Sequence, residues 1–281
     1  MIISSRTDGL GRRLLHLLDT IFLSQTYDRD FWFLWQSALT RKQSKYGSIL
    51  HCPISFESLF DRHPRISDNL DIRYIRSLEK HKKKDLSEKD LLSNEILFFT
   101  EISEEMNTKI NPRDPKIYSK NFKSLMVKKE ILDRVNEFSS QEELDQTLGV
   151  HYRSGDISNP NHYRNPRFCP PEEMIELIIK NANMNEYKKI FLMSISDNFS
   201  NRLLTLLKER LPEKEIVEYN KLENSFSSKE CMHGDQENIK DAFVDMMILS
   251  RCNTIFRCPA AGCLSHLAQL IGCKKAIHVK R

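Results

Sequence analysis

Apolar positions in the second half of the chain fall into short runs that alternate with stretches of helical spacing. Thr147 to Tyr152 (TLGVHY) and Lys189 to Ser194 (KIFLMS) are compact apolar runs of the length of a buried parallel strand. Between them, Pro171 to Asn183 places Met174, Ile175, Leu177 and Ile178 on one helical face after a Pro-Glu-Glu start. Asn198 to Leu211 repeats the helical pattern with Leu203, Leu204, Leu206 and Leu207, and Pro212 closes it. Glu215 to Tyr219 then reads as a strand, Asn238 to Ser250 as a helix and Thr254 to Arg257 as a strand. Gly262 to Ile271 reads as a helix and Ala276 to Val279 as a last strand. Strict alternation of this kind predicts a parallel sheet with crossover helices.

The first half opens the same way. MIISS reads as a strand, Asp8-Gly9-Leu10-Gly11 as a turn, Arg12 to about Ser24 as a helix and Phe31 to Trp35 (FWFLW) as a second strand. Beyond that the periodicity fades. Residues 78–95 are charged with scattered leucines, and residues 107–121, rich in Asn, Pro and Lys, read as loop. Two α/β units follow, with a boundary near residue 140, and a ligand cleft between them is expected. Ligands of such sheets gather beyond the carboxyl ends of the strands.

Composition narrows the class of function. Charged residues are 29% of the 281, yet the formal net charge is only +4, which argues against a dedicated nucleic-acid binder. It suits an enzyme with a local basic pocket. No run of 18 apolar residues occurs and the opening run is cut by Arg6, so a cytoplasmic protein with at most peripheral membrane contact is expected. Seven cysteines without a C-x-x-C pair read as buried reduced thiols rather than disulfides or a zinc cluster.

The chemistry is concentrated in His151-Tyr152-Arg153-Ser154-Gly155-Asp156, at the carboxyl end of an expected strand. Alternation sends His151 and Arg153 to one face, and a guanidinium fork suits a diphosphate. A guanidinium fixed beside a departing nucleoside diphosphate stabilises the charge that grows as the sugar leaves. Asp28-Arg29-Asp30 has the D-x-D form of a metal-held diphosphate site but precedes a strand, so a loop charge cluster is expected there.

H-x-R-x-G-D resembles the first donor-binding motif of the α1,2-, α1,6- and protein O-fucosyltransferase superfamily, usually H-x-R-R-G-D. Four more segments resemble that family in order: the Asp8-to-Leu14 loop, Phe191 to Asp197 ending in Ser-Asp, Asp245 to Cys252, and Gly262 to Gly272. The resemblance implies a GT-B-like fold, with two Rossmann-type domains facing a cleft. It implies an acceptor-side domain over 1–140 and a donor domain over 141–281. It further implies an inverting, metal-independent transfer, most simply of fucose from GDP-fucose to a glycan acceptor, with no cofactor and no nucleic acid.

By position, Arg153 would bind the diphosphate and help the sugar leave. His151 would sit beside the donor, and Asp245 would accept hydrogen bonds from the base. Ser265 and Gly262 would place a helix N-terminus on the phosphates, with Gly9 and Gly11 in the facing loop. Asp156 or Asp8 would serve as base. The loop Asn159 to Pro171 would close over the donor or shape the acceptor site. Departures are Ser154 for the second arginine, Gly262 for the first serine of the last motif, and Asp8 and Arg12 in the N-terminal loop; Arg6, Arg12 or Arg13 could restore the lost charge. The same departures leave open a catalytically silent nucleotide- or glycan-binding module. The basic run at 80–84 (KHKKK) leaves open a binder of other polyanions.

Overall fold

The computed structural model describes residues 1–6, 9–35, 54–67, 86–99, 113–152, 169–194, 198–219, 236–258 and 262–278. They fall into two compact α/β units, Met1–Lys128 and Lys129–Arg281.

In the first unit, β1 (Ile2–Arg6) is the inner strand of a parallel sheet with β2 (Phe31–Trp35), β3 (Ile66–Ser67) and β4 (Leu97–Phe99), in the order β3-β2-β1-β4. Helix α1 (Leu10–Thr26) begins at an N-cap on Gly9, two residues earlier than its spacing predicts, so Gly11 lies inside the helix. Nearly the whole of α1 is buried, polar residues included, and each of these is matched to a neighbour. Arg13 lies over the Trp35 ring, 4.9 Å from its centroid. His16 meets Phe33 and Phe99 edge-on. The Thr20 hydroxyl is 2.6 Å from that of Ser4. Asp19 accepts from Arg113 Nη2 at 2.9 Å and from the Tyr118 hydroxyl.

Tyr118 belongs to α3 (Pro115–Ser124), a helix in the stretch whose composition reads as loop. Pro115 occupies the first helical turn and the Asp114 carboxylate caps it by accepting from Lys116 N, so a loop-like Asp-Pro start opens a helix. Helix α2 (Glu88–Leu92), in the charged stretch, carries a capping box between Ser87 and Asp90.

The second unit opens with α4 (Lys129–Glu142). Its sheet comprises β5 (Thr147–Tyr152), β6 (Lys189–Ser194), β7 (Glu215–Val217), β8 (Thr254–Arg257) and β9 (Lys275–His278), all parallel, in the order β7-β6-β5-β8-β9. Leu148, Val150 and Tyr152 face α5 (Pro171–Asn181) and α6 (Asn198–Arg210), packing with Met174, Ile178 and Leu203. The opposite face takes α4 and α7 (Gln236–Leu249): Phe138 of α4 meets Phe191 with ring centroids 5.7 Å apart. Helices α4 and α7 are joined by an ion pair between Arg134 and Asp241, with Arg134 Nε donating to the Tyr219 hydroxyl at 2.6 Å.

Gly149 sets how closely α7 approaches β5. A Cβ there would lie 2.5 Å from Leu249 Cδ1 and 3.0 Å from Cys252 Sγ, both fully buried. Helix α8 (Cys263–Gly272) ends just as tightly, since a Cβ on Gly272 would lie 2.1 Å from the Ser250 carbonyl oxygen. Gly149→Ala is therefore expected to lower the stability of the second unit by about 1–3 kcal/mol through overpacking. A thermal melt of the variant coinciding with that of the wild type would refute this account of the α7 seat.

Candidate functional site

The strand order of the second unit defines where a ligand belongs. The chain runs outward from β5 through β6 to β7 on one side, then returns to β8 and β9 on the other. The strand order thus reverses between β5 and β8, which makes the carboxyl edge of these two strands the switch point at which ligands of such sheets gather.

His151 and Tyr152 end β5 at this switch point. Tyr152 turns away, and its hydroxyl donates to the Cys169 carbonyl at 3.0 Å, holding the chain that leads into α5. His151 lies on the other face with Gly149 and is buried. Its register partners are Met193 on β6 and Arg257 on β8. Arg153 and Asp156, next along the sequence, lie outside the described residues, as do Asp8, Asp197, residues 80–84 and most of the Asn159–Pro171 loop.

Asp245 comes to the same level as His151. Helix α7 runs antiparallel to β5, with Leu249 seated on Gly149. One helical turn back from Leu249 is a rise of about 6 Å, and two residues along β5 advance about 6.6 Å. Asp245 and His151 thus lie at one height on one side of the sheet, near its carboxyl edge. Asp245 is 2% exposed, and its negative charge, together with that of Asp241, opposes ionisation of Tyr219. The Tyr219 hydroxyl is held above the usual range chiefly by burial, so it stays protonated at neutral pH.

Helix α8 follows β8. Gly262 is its N-cap, among the described residues no side chain caps the first turn, and no acidic residue lies in it. The first amide groups of such a turn have no helical acceptor. Ser265 is fully buried and its hydroxyl donates back to the Gly262 carbonyl at 3.2 Å, so the serine shapes the turn from inside. Arg257, at the end of β8, was not signalled by any motif, although a basic residue closing an apolar run just before a helix start is a recognisable cue. Its Nη1 is 3.4 Å from His266 Nδ1 and 3.4 Å from Gln269 Oε1, both on α8.

Gly9 and Gly11 belong to the first unit, at the start of α1 beyond the carboxyl end of β1. A Cβ on Gly9 would meet nothing within 4 Å, and its φ of −56° is open to any residue, so neither packing nor backbone geometry demands glycine there. Arg13, one candidate for the charge lost at Ser154, is fully buried against Trp35. In the D-x-D segment, Asp30 pairs with Arg65 at 2.8 Å and Arg29 donates to the carbonyls of Asp90 and Leu91. Among the described residues no cluster of three or more His, Cys, Asp or Glu could hold a metal ion. The described cysteines, 169, 252, 258, 263 and 273, are free, and burial pushes the Cys252 thiol well up. No described helix is long and apolar enough to cross a membrane.

No protein-family model matches the sequence, and no curated protein sequence matches it either. Solved structures do match by shape. NodZ alpha-1,6-fucosyltransferase soaked with GDP-fucose superposes with a TM-score of 0.58 at 16% identity, over 96% of this chain and 92% of that one. Fucosyltransferase NodZ from Bradyrhizobium gives 0.54 at 16% identity, over 96% and 92%. A mutant of Arabidopsis thaliana FUT1 in complex with GDP gives 0.55 at 12% identity, over 98% of this chain and 69% of that one. With its two parallel-sheet units and its match in shape to these enzymes, the protein has a fucosyltransferase-like, GT-B-like fold.

Proposed function

We propose that the protein is an inverting, metal-independent glycosyltransferase that transfers a sugar, fucose from GDP-fucose in the first instance, to a glycan acceptor. The observation that supports this reading is the place of His151 at the end of β5, in register with the end of β8, the strand that precedes the Gly262 start of α8. The GDP and GDP-fucose bound by the matched enzymes are the ligands this arrangement suits.

In this reading the second unit holds the donor and the first unit the acceptor. The amides of α8 and the guanidinium of Arg153 face the diphosphate, where negative charge accumulates as the bond to the sugar C1 breaks. The acceptor hydroxyl attacks C1 from the opposite side, so the anomeric configuration inverts in a single displacement. Its proton passes to a carboxylate, with Asp156 and Asp8 the two candidates. The buried Asp245 carboxylate accepts from the N1–H and amino group of guanine, which explains a charge on an otherwise apolar stretch of α7. Gly9 lies in the part of the first unit that would border the acceptor.

Calorimetric titration with GDP, UDP, ADP and CMP, without added metal, is expected to show micromolar binding of GDP alone. Tight binding of a different nucleotide would keep the transferase and change the sugar. A folded sample that binds none would replace this reading with the silent module. Arg153→Ala is expected to lower kcat by about 10²–10³-fold while leaving the melting temperature unchanged; normal turnover would remove Arg153 from the mechanism. Asp245→Asn is expected to weaken GDP binding by about tenfold while sparing inorganic pyrophosphate. Equal loss for both ligands would show that Asp245 supports the fold rather than the base.

A further inference from the structure

We propose that Arg257 supplies the second cationic contact to the donor's diphosphate, in place of the arginine that the H-x-R segment lacks at Ser154. The inference rests on the donor site argued above. It adds a residue that lies outside every segment carrying the family resemblance.

Three observations converge on it. The first is placement. Arg257 is the last residue of β8 and pairs in register with His151, so the two Cβ atoms leave the same face of adjacent strands at the switch point. The second is the way its guanidinium is held. Among the described residues its polar contacts are Nη1 with His266 Nδ1 and with Gln269 Oε1, neither of them a carboxylate and both at 3.4 Å. These are long for hydrogen bonds to a cation, and they leave the rest of the five-donor fork uncommitted. The half-buried Arg113 and Arg134, by contrast, each hold a buried carboxylate, Asp19 and Asp241. No described carboxylate forms an ion pair with Arg257. The third is its surroundings. Burial lowers the proton affinity of Arg257, opposed only by the nearby Cys263 and Cys258. A guanidinium kept from water without a counter-charge gains from an anion that can approach it.

The chemistry fits a diphosphate. The planar fork can present two parallel N–H donors to one phosphate, and the His266 and Gln269 contacts lean it against α8, the helix that begins at Gly262. Arg257 ends β8 in register with His151, the residue two before Arg153 in the sequence. Two positive charges would then bracket the phosphates from adjacent strands instead of from consecutive residues.

The test is titration of GDP and of guanosine into the wild type, Arg257→Gln and Arg257→Lys. Arg257→Gln is expected to lose roughly ten- to a hundredfold in GDP affinity while guanosine affinity stays at the wild-type value. Arg257→Lys is expected to recover part of the loss, since it keeps the charge and loses the fork. Wild-type GDP affinity in Arg257→Gln would overturn the proposal and leave the donor site standing. A parallel loss for GDP and guanosine would also overturn it, showing that Arg257 only supports α8. If Arg257→Gln does not fold, Arg257→Lys decides: a several-fold loss confined to GDP supports the contact, and no loss or an equal loss overturns it. A wild-type protein that binds no GDP would bring down the donor-site reading itself, and this inference with it.

Discussion

The close seat of α7 on β5 at Gly149 governs the second unit. Leu249 Cδ1 and Cys252 Sγ fill the space that a side chain at this position would need. The helix is therefore held against the central strand at one height, and everything carried by α7 takes its level from that contact. Asp245, one turn toward the carboxyl edge, comes level with His151 for this reason. The turn after α7 presents the Ser250 carbonyl against Gly272, so α8 is located by the same chain of contacts. The relation of α7 and α8 to the sheet is thus set at two glycines that permit close approach, with dense packing around them.

Burial of polar groups follows different rules in the two units. In the first, Asp19 of α1 receives Arg113 and Tyr118, and Arg13 lies over the Trp35 ring. A guanidinium placed like that of Arg13 is a packing element, since withdrawing it from beneath Trp35 would open a cavity in the core. In the second unit, polar groups near the carboxyl edge are held more loosely. Arg257 leans on His266 and Gln269, and among the described residues the first turn of α8 has no side-chain cap and no acid.

Much of the second unit was legible from its sequence, because each strand there is a short apolar run and each helix shows a clear apolar stripe. The strands at Thr147, Lys189 and Thr254 and the helices at Pro171 and Asn198 follow that pattern closely. The first unit was less so. Helix α3 hides in an Asn/Pro/Lys-rich stretch because its start depends on capping by Asp114 and on Pro115, which composition alone reads as a turn. In the second unit, helix α4 carries only two fully buried apolar residues, Ile131 and Val135, and its place on the sheet depends on Phe138, Arg134 and Arg251 contacts made across long sequence distances.

The sequence by itself determined the alternation of strand and helix, the position of the H-x-R segment at a strand end, and the spacing of the segments that resemble fucosyltransferases. These are local properties, written in periodicity and in residue types a few positions apart. Only the tertiary structure decided that β5 and β8 are neighbours, that Arg257 stands in register with His151, and that Asp245 reaches the same level from a helix almost a hundred residues later. Strand order and helix seating arise from packing between elements distant in the chain, and that information exists only once the sheet has formed.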